Sequence, residues 1–285
     1  MWDSAQPSRP FYRRIWFRVL AVFLVLGLVG VGVGFVVLRA TFIAKANALD
    51  LTKMGDMETA SIVYDRNGEV LGKIYIQNRD TIPISEMPQH LLDALVAAED
   101  NRFFEHPGVD LMGIARVIIK APGRQGASTI TQQLARNSFP DALPASDRSI
   151  RRKLLEIFVA LRIEELYSKK EILEMYLNRV YFGSGFYGIE AAANGYFGKT
   201  TQELTTAECA MLTGMLRSPN NRSPWRNRQA SIQVRDYVLG RMLDLGYITQ
   251  SQYDAAVKEQ PAVKNRRAIH GVSYAVEYVR QEVAE

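Results

Sequence analysis

Cysteine and histidine are rare in this chain of 285 residues, which has one cysteine and three histidines. A single cysteine cannot form an intramolecular disulfide, and no CxxC or other thiolate spacing for a structural metal is present. Cys209 lies in an apolar helical stretch, so we expect a buried, unpaired thiol. His106 stands alone, and we interpret it as a hydrogen-bonded packing residue. Disulfide-stabilised and zinc–thiolate folds are therefore excluded.

Signals for several other classes of protein are also missing. The net charge of +5 is modest; it fits an anionic lipid surface or a phosphorylated substrate, or an ordinary basic surface, and does not require nucleic acid. The phosphate-binding pattern GxxxxGK[ST] is absent, and no repeat occurs at the periods of solenoid proteins. With 47% hydrophobic and 23% charged residues, the chain has the composition of a folded protein of one or two domains.

One stretch without charged side chains, residues 19–38, reads VLAVFLVLGLVGVGVGFVVL. About 20 residues rising roughly 1.5 Å each span a hydrocarbon core of about 30 Å. Arginines precede the stretch, which predicts a cytoplasmic tail over residues 1–18 and an exported remainder. The alternative is a cleaved signal peptide with a small-residue site at 44–46. The apolar run is longer than the roughly 7–15 residues of a signal-peptide core, so we favour an uncleaved transmembrane helix.

The remainder of the chain reads as a hairpin followed by helices. Residues 61–76 contain Asn67-Gly68 between β-rich flanks, which predicts a small hairpin close to the membrane. After it the hydrophobic spacing is helical, and capping boxes begin three of the segments. The predicted helices are 88–99, 147–166, 168–180, 205–219, 229–246 and a short helix after Thr249.

Two glutamates are candidates for chemistry. Glu99 ends the apolar stripe of its predicted helix, where partial loss of solvation suits a general base or acid. The alternative is a helix-terminal glutamate paired with an arginine such as Arg102. Glu156 shares a helical face with Arg152 and Lys153. This arrangement is either an exposed ion-pair cluster or a carboxylate beside cations that hold a pyrophosphate.

Small hydroxyl and amide side chains are concentrated in residues 126–134, GASTITQQL, at the start of a helix. Backbone N–H groups at a helix start suit an anion or a sugar. An ordinary helix cap accounts for Ser128, but less easily for Thr129, Gln132 and Gln133 together. This segment is therefore a candidate ligand-binding loop.

Five stretches of the chain resemble, in order, the peptidoglycan glycosyltransferase domain of class A penicillin-binding proteins. The resemblance covers about residues 60–285. Several motifs in the order found in the family are much more specific evidence for membership than a single motif. The stretches are EDNRFFEHPGVD at 99–110, GASTITQQLARN at 126–137, RRKLLEIFVALRIE at 151–164, KKEILEMYLNRVYFG at 169–183 and AMLTGMLRSP at 210–219.

The resemblance implies a mainly α, lysozyme-like fold of two lobes around a cleft. It implies a glycosyltransferase domain over 61–260, a juxtamembrane linker over 39–60 and the start of a further linker over 261–285. It also implies polymerisation of lipid II into a β-1,4-linked glycan at the bacterial inner membrane. The expected partners are lipid II, the growing strand, membrane lipids and other cell-wall synthesis proteins, with no nucleic acid.

The resemblance also assigns residues to the reaction. The two catalytic glutamates of the family match Glu99, the expected general base of an inverting displacement, and Glu156. No dedicated metal cage is visible in the sequence, so a divalent cation, Mg²⁺ or Mn²⁺, is expected to be held mainly by substrate phosphates; no organic cofactor is expected. The predicted substrate-binding residues are Ser128, Thr129, Gln132, Gln133, Arg152, Lys153, Asn178 and Tyr181.

Two other functions remain open. A lytic enzyme that cleaves the same glycan would share the fold, although paired cations beside Glu156 favour a phosphate leaving group. A non-catalytic scaffold would be favoured by loss of either glutamate, but both are present. The transpeptidase signatures S-x-x-K and K-T-G are absent, since residues 199–201 read KTT. We therefore expect that this chain does not bind penicillin. The hairpin and the tail after residue 260 favour a shortened bifunctional protein over a naturally monofunctional one.

Overall fold

A computed structural model describes most of the chain, and the chain divides into two compact units, residues 1–49 and 50–285. Most of the predicted cytoplasmic tail and the first two residues of the candidate ligand-binding loop at 126–134 lie outside the described residues. The residues described are 15–55, 61–64, 66–67, 70–74, 80–120 and 128–265.

The first unit contains the helix α1, Ile15–Asn47. At roughly 1.5 Å per residue this helix is about 50 Å long, which exceeds the roughly 30 Å hydrocarbon core of a bilayer. The predicted span 19–38 lies inside it, and most of its large apolar side chains are exposed. Within the described part of the chain this is the one helix long and apolar enough, by length and composition, to cross a membrane. The prediction of one apolar N-terminal helix is confirmed.

The predicted hairpin lies in the second unit. Strand β1, Ser61–Tyr64, pairs antiparallel with β2, Val70–Ile74. Ser61 faces Ile74 at one end and Tyr64 faces Val70 at the other, with an irregularity between Val63 and Tyr64. Asn67 lies in the turn between the strands, and Gly68 lies outside the described residues.

Helices make up the rest of the second unit, which confirms a mainly α fold. Short 3-10 turns lie at 51–54 and 84–86, before the first of these helices, and at 103–105 and 201–203, between later ones. The helices are α2 Gln89–Glu99, α3 Leu111–Lys120, α4 Ile130–Ser138, α5 Ile150–Leu166, α6 Lys169–Arg179, α7 Ile189–Phe197, α8 Thr206–Met215, α9 Arg228–Asp244 and α10 Gln250–Lys258.

Side-chain caps determine where several helices begin and end. The capping boxes predicted before α6, α8 and α10 are all present. Helix α5 begins at Ile150, later than predicted, because Ser149 Oγ accepts a hydrogen bond from the backbone N–H of Arg152 at 3.1 Å. After α9, Gly246 adopts the positive φ of 74° expected of a glycine that ends a helix.

Helix α8 lies at the centre of the core. Its residues from Ala207 to Met215 are all buried, and it packs against α2 and α9. A Cβ at Gly214 would approach the carbonyl oxygen of Val234 to 2.9 Å, so glycine allows the close contact with α9. Cys209 is buried and free in this helix, as predicted. Burial raises the pKa of its thiol well above the ordinary range.

Part of the predicted juxtamembrane linker is docked on the helices of the second unit. Leu51 and Met54 are buried in the 3-10 turn at 51–54. The hydroxyl of Tyr167 donates to the carbonyl of Leu51 at 2.9 Å, and Nη2 of Arg179 donates to the carbonyl of Met54 at 2.9 Å. Residues from Asp50 onward accordingly belong to the second compact unit.

The segment after α10 is docked in a similar way as far as the structure describes it. The indole N–H of Trp225 donates to the carbonyl of Lys264 at 2.8 Å, and Nη2 of Arg228 donates to the carbonyl of Pro261 at 3.1 Å. The backbone N–H of Lys264 donates to the carbonyl of Tyr196 at 2.8 Å. The first part of the predicted linker over 261–285, residues 261–265, has no regular secondary structure and is held on the helices by these hydrogen bonds.

Candidate active site

Glu99 is the last residue of α2, and its carboxylate is held from two sides. Only 6% of the side chain is exposed. Nε2 of Gln133 donates to Oε2 at 2.8 Å, and Nε of Arg217 donates to Oε1 at 3.2 Å. Nη2 of Arg217 also donates to the carbonyl of Ala98 at 3.0 Å. The carboxylate thus has one neutral and one cationic donor, which come from α4 and from the loop after α8.

The alternative partner predicted for Glu99, Arg102, is engaged elsewhere. Its guanidinium donates to Glu105 at 2.7 Å and to Asp110 at 3.2 Å. Arg102 is therefore not the partner of Glu99, but a helix-terminal glutamate paired with an arginine is what the structure shows, with Arg217 as that arginine. Arg217 takes that place because α8 packs against α2, so the loop that follows α8 reaches the end of α2.

Glu156 is fully buried on α5, with 0% of its side chain exposed. Nη1 of Arg152 donates to Oε2 at 2.6 Å, and the ammonium of Lys153 donates to Oε1. Nη1 of Arg136 lies 3.9 Å from Oε2. The prediction of an exposed ion-pair cluster is therefore wrong. Three cations surround one carboxylate, so the cluster has a net positive charge.

Helix α4 connects the two glutamates through consecutive residues. Gln133 donates to Glu99, as described. Gln132 accepts at Oε1 a hydrogen bond of 3.0 Å from the ammonium of Lys153, which also binds Glu156. The structure therefore brings Glu99, Glu156 and most of the predicted substrate-binding residues together around the first turns of α4.

Buried polar side chains hold the start of α4. Thr129 forms a capping box with Gln132, and its hydroxyl donates to the carbonyl of Gly108 at 2.6 Å. Oδ2 of Asp100 accepts the backbone N–H of Ile130 at 3.1 Å. Nε2 of the buried His106 lies 3.0 Å from Oδ1 of Asp100, which confirms that this histidine is a hydrogen-bonded packing residue.

Hydrogen-bond donors around the cluster exceed the acceptors. Within the described ranges, Nε2 of Gln132 and Nε of Arg152 are buried and have no hydrogen-bond partner. Ser128 Oγ accepts from the ammonium of Lys153 at 2.8 Å, so its own proton is directed elsewhere. Buried donors without acceptors are costly. A group with several anionic oxygens would satisfy these donors and the excess positive charge together.

The last two predicted substrate contacts have other partners in the structure. Asn178 is buried. Its Oδ1 accepts a hydrogen bond from the backbone N–H of Ile82 at 3.0 Å, and its Nδ2 donates to the carbonyl of Ile82 at 2.8 Å. The hydroxyl of Tyr181 donates to Oδ1 of Asn220 at 3.0 Å. Asn178 thus anchors the segment that leads to α2, and Tyr181 anchors the loop after α8. Their role as substrate contacts stays a prediction.

Sequence reasoning missed three residues of this site. Arg136 lies one helical turn after Gln132 and Gln133, and that spacing could have placed it on the same face of α4. Arg217 gave no comparable signal, since it lies in a loop far from Glu99 in the chain. Tyr176 was also missed, because a tyrosine among the apolar residues of a helix face usually belongs to the core. In the structure its hydroxyl donates to Oε1 of Gln133 at 3.0 Å.

A protein cage for a metal ion is absent from the part of the chain that the structure describes. No three histidine, cysteine, aspartate or glutamate side chains lie close enough to bind one. Both oxygens of Glu156 already accept hydrogen bonds from cationic side chains. These residues do not fit a divalent ion by themselves, so such an ion would take most of its oxygen ligands from a bound phosphate group.

Comparison with known proteins identifies the family. The family model described as Transglycosylase matches residues 67–243. Penicillin-binding protein 1A of Haemophilus influenzae is 42% identical over 231 residues, which cover 78% of this chain and 26% of that protein. A putative transglycosylase of Cupriavidus necator is 43% identical over 183 residues, which cover 63% of this chain and 78% of that protein.

Among solved structures, the crystal structure of penicillin-binding protein 1A from Haemophilus influenzae matches with a TM-score of 0.45 and 26% identity, covering 79% of this chain and 24% of that one. The chain spans only about a quarter of the length of that relative. The family model, in contrast, covers more than half of the chain, and the match to the Cupriavidus necator protein covers most of that protein. The chain therefore belongs to the transglycosylase family.

Proposed function

We propose that this chain is a peptidoglycan glycosyltransferase, which polymerises lipid II into a β-1,4-linked glycan and releases undecaprenyl pyrophosphate. Family membership and the names of the relatives support this class of reaction. The observation that carries the proposal is the cluster around Glu156, where three cations and unsatisfied donors surround one buried carboxylate. Such a cluster suits a pyrophosphate better than a neutral sugar.

The leaving group needs its negative charge neutralised more than it needs a proton. Arg136 and Arg152 have guanidinium N–H groups to offer to phosphate oxygens, and a planar guanidinium can bind two such oxygens at once. Ser128 and Gln132 have additional donors on the same side. Glu156 keeps these cations in place, and it offsets part of their charge before the substrate arrives.

The acceptor is a sugar hydroxyl, and it needs a base. Glu99 is the proposed base, and Oε1 is the proposed atom that accepts the proton. Oε2 accepts from Nε2 of Gln133 at 2.8 Å, whereas Oε1 has the longer contact of 3.2 Å to Arg217, whose side chain is 38% exposed. Oε1 is therefore the more accessible oxygen.

The reaction is proposed to be one displacement with inversion. The acceptor oxygen bonds to the anomeric carbon while the bond from that carbon to the phosphate oxygen breaks. The electron pair of the broken bond leaves with the pyrophosphate, and the hydroxyl proton moves to Glu99. An α-linked donor then gives a β-linked product, following the logic of inverting enzymes that use two carboxylates. No covalent glycosyl–enzyme intermediate is involved.

A divalent cation, Mg²⁺ or Mn²⁺, is proposed to bind with the substrate and to be held mainly by its phosphates. It would neutralise phosphate charge in addition to the cationic side chains. The described residues do not form a cage for such an ion, so its remaining ligands would be the phosphate oxygens of the substrate.

The helix α1 is proposed to anchor the chain in the bacterial inner membrane, with the N-terminus in the cytoplasm and the second unit outside. The arginines before the apolar run support that orientation. Lipid II and the released lipid both stay in the bilayer, so an anchored enzyme meets them by diffusion in two dimensions. Membrane lipids, the growing strand and other cell-wall synthesis proteins are the proposed partners.

The test is polymerisation of labelled lipid II by the detergent-solubilised chain with a divalent salt, with products separated by size. The variants are Glu99→Gln and, as a matched control, Glu165→Gln, which changes an exposed glutamate of α5. The parent and the control should make long chains that lysozyme digests. Glu99→Gln should be slower by at least about a hundredfold, the usual contribution of a general base.

Normal turnover by Glu99→Gln would contradict its assignment as the base. Release of soluble sugars from purified cell wall, without polymerisation, would support a lytic enzyme instead. Absence of polymer from the parent chain, with helical circular dichroism intact, would reject the proposed activity for this chain and favour the scaffold.

A further inference from the structure

Tyr176 is a fully buried tyrosine on α6 that is connected to Glu99 through one residue. Its exposed fraction is 0%. Its hydroxyl donates to Oε1 of Gln133 at 3.0 Å, and Nε2 of the same amide donates to Oε2 of Glu99 at 2.8 Å. Side chains from α6, α4 and α2 therefore form a continuous chain of hydrogen bonds that ends on the proposed base.

The chain of bonds specifies which way the Gln133 amide faces. A side-chain amide has a donor end and an acceptor end, and it can rotate to exchange them. The ionised carboxylate of Glu99 can only accept, so the amide nitrogen must face it. The amide oxygen must then face away, where it needs a buried donor. The hydroxyl of Tyr176 is that donor.

Tyr176 is suited to act as a permanent donor. Burial raises the pKa of its phenol well above the ordinary range, and the negative charge of Glu99 raises this pKa further. The charges of Arg136 and Arg217 lower the pKa of Tyr176, but burial is the largest contribution. The phenol therefore keeps its proton at working pH, and the direction of the hydrogen bond to Gln133 does not reverse.

We propose that Tyr176 is a positioning residue for the glycosyl transfer, which acts through Gln133 to hold Oε2 of Glu99 and to direct Oε1 at the acceptor hydroxyl. It does not touch the substrate. This inference rests on the proposed function and names a further residue that the same site needs.

The physical reason is the precision that proton transfer requires. A catalytic group has to be held within about 0.5 Å and 10–20° of its productive geometry. The other restraint on the carboxylate of Glu99 is the 3.2 Å contact to Arg217, whose side chain reaches solvent. Without the hydroxyl of Tyr176, the oxygen of the Gln133 amide has no buried donor, so the amide loses one of the two hydrogen bonds that hold it. The amide and the carboxylate that it holds then move more freely, and Oε1 is directed less precisely at the acceptor hydroxyl.

The first experiment compares Tyr176→Phe with the matched control Tyr167→Phe in lipid II polymerisation. Both changes remove one phenol oxygen, but Tyr167 donates to the carbonyl of Leu51 at 2.9 Å and has no part in the site. Tyr176→Phe should lower kcat about three- to tenfold, the rate equivalent of one hydrogen bond, and leave KM unchanged. The control should keep both values. Unchanged kcat in Tyr176→Phe would overturn the proposal.

A double-mutant cycle separates positioning from packing. Gln133→Met replaces the amide with an apolar side chain of similar volume, so it breaks the chain of bonds at its centre. In that background, Tyr176→Phe should cause no further loss of kcat, because the two residues act in series. Losses that multiply would mean that Tyr176 acts through packing alone, and this result would reject the inference.

A measurement that needs no activity keeps the inference separate from the proposed function. Hydrogen exchange of the Gln133 side-chain amide can be followed by nuclear magnetic resonance in protein labelled with ¹⁵N-glutamine. The amide protons should be protected in the parent and in Tyr167→Phe, and should exchange at least about tenfold faster in Tyr176→Phe, because one restraining hydrogen bond is lost. Equal exchange in all three proteins would overturn the positioning role. If the parent makes no polymer, the proposed function fails, and this exchange experiment still decides the role of Tyr176.

Discussion

Replacing Glu156 with glutamine tests whether the cation cluster holds an anion. The side chain keeps its shape in this variant but loses its charge. Arg152 and Lys153 both donate to the carboxylate in the parent, and Arg136 lies 3.9 Å away. In Glu156→Gln these cations face one another without a counter-charge. The folded state should therefore lose stability and should bind an anion more strongly.

The size of the loss can be worked out from the burial of the partners. Removing one member of a fully buried ion pair costs about 3–5 kcal/mol. The loss should be smaller here, because Lys153 and Arg136 are 36% and 29% exposed and solvent screens part of their repulsion. We expect a loss of about 2–4 kcal/mol, which for a domain of this size lowers the melting temperature by roughly 4–16 °C.

The assay is thermal unfolding followed by circular dichroism, with and without inorganic pyrophosphate. A ligand that binds only the folded state raises the melting temperature, and the increase should be larger for Glu156→Gln than for the parent. The matched control is Glu164→Gln, which changes another glutamate of α5, whose side chain is 7% exposed. That residue pairs with Lys169 at 2.7 Å and accepts from Thr131. The control should lose stability but should gain no additional response to pyrophosphate.

Two results would refute this reasoning. Equal pyrophosphate effects on the parent and on Glu156→Gln would mean that the cluster has no unbalanced positive charge available to an anion. A pyrophosphate effect in Glu164→Gln as large as that in Glu156→Gln would mean that the response is general to the fold. Either result would remove the observation that carries the proposed function.

Two further predictions concern the core. Gly195→Ala should destabilise the fold by about 1–3 kcal/mol, because a Cβ there would overlap the buried ring of Phe186. Gly240→Ala should instead stabilise the fold by roughly 0.5–1 kcal/mol, because its Cβ would meet no atom within 4 Å. Chemical denaturation of the two variants checks both signs. Cys209 should resist alkylation by iodoacetamide at pH 8, because burial raises the pKa of its thiol and blocks access to it. The same thiol should react fully when the chain is unfolded in urea. Rapid alkylation of the folded chain, detected by mass spectrometry, would contradict the burial of Cys209.

Local interactions explain which helices could be predicted. A capping box joins residues three positions apart, so the starts of α6, α8 and α10 could be read from neighbouring residues. Helix α7 was not predicted, because IEAAANGYF is buried on nearly every side and lacks an amphipathic period. Its Gly195 also lowers helix propensity, and only the ring of Phe186 against the helix explains why glycine is there.

The candidate site was predictable to a different extent at each glutamate. Arg152 and Lys153 are within one turn of Glu156, so their contact with it follows from helical spacing. Spacing does not show burial, and the cluster could equally have faced water. Arg217 is 118 positions away from Glu99, and no periodicity connects residues so far apart.

The sequence by itself determined the apolar N-terminal helix, the hairpin, the capped helices and the motifs that identify the family, because each depends on residues close together in the chain. The tertiary structure alone decided which groups meet: Arg217 and Gln133 at Glu99, and Tyr176 behind Gln133. It also decided that Glu156 is buried. Burial and long-range contacts depend on how α2, α4, α5, α6 and α8 pack together, and packing involves the whole domain at once.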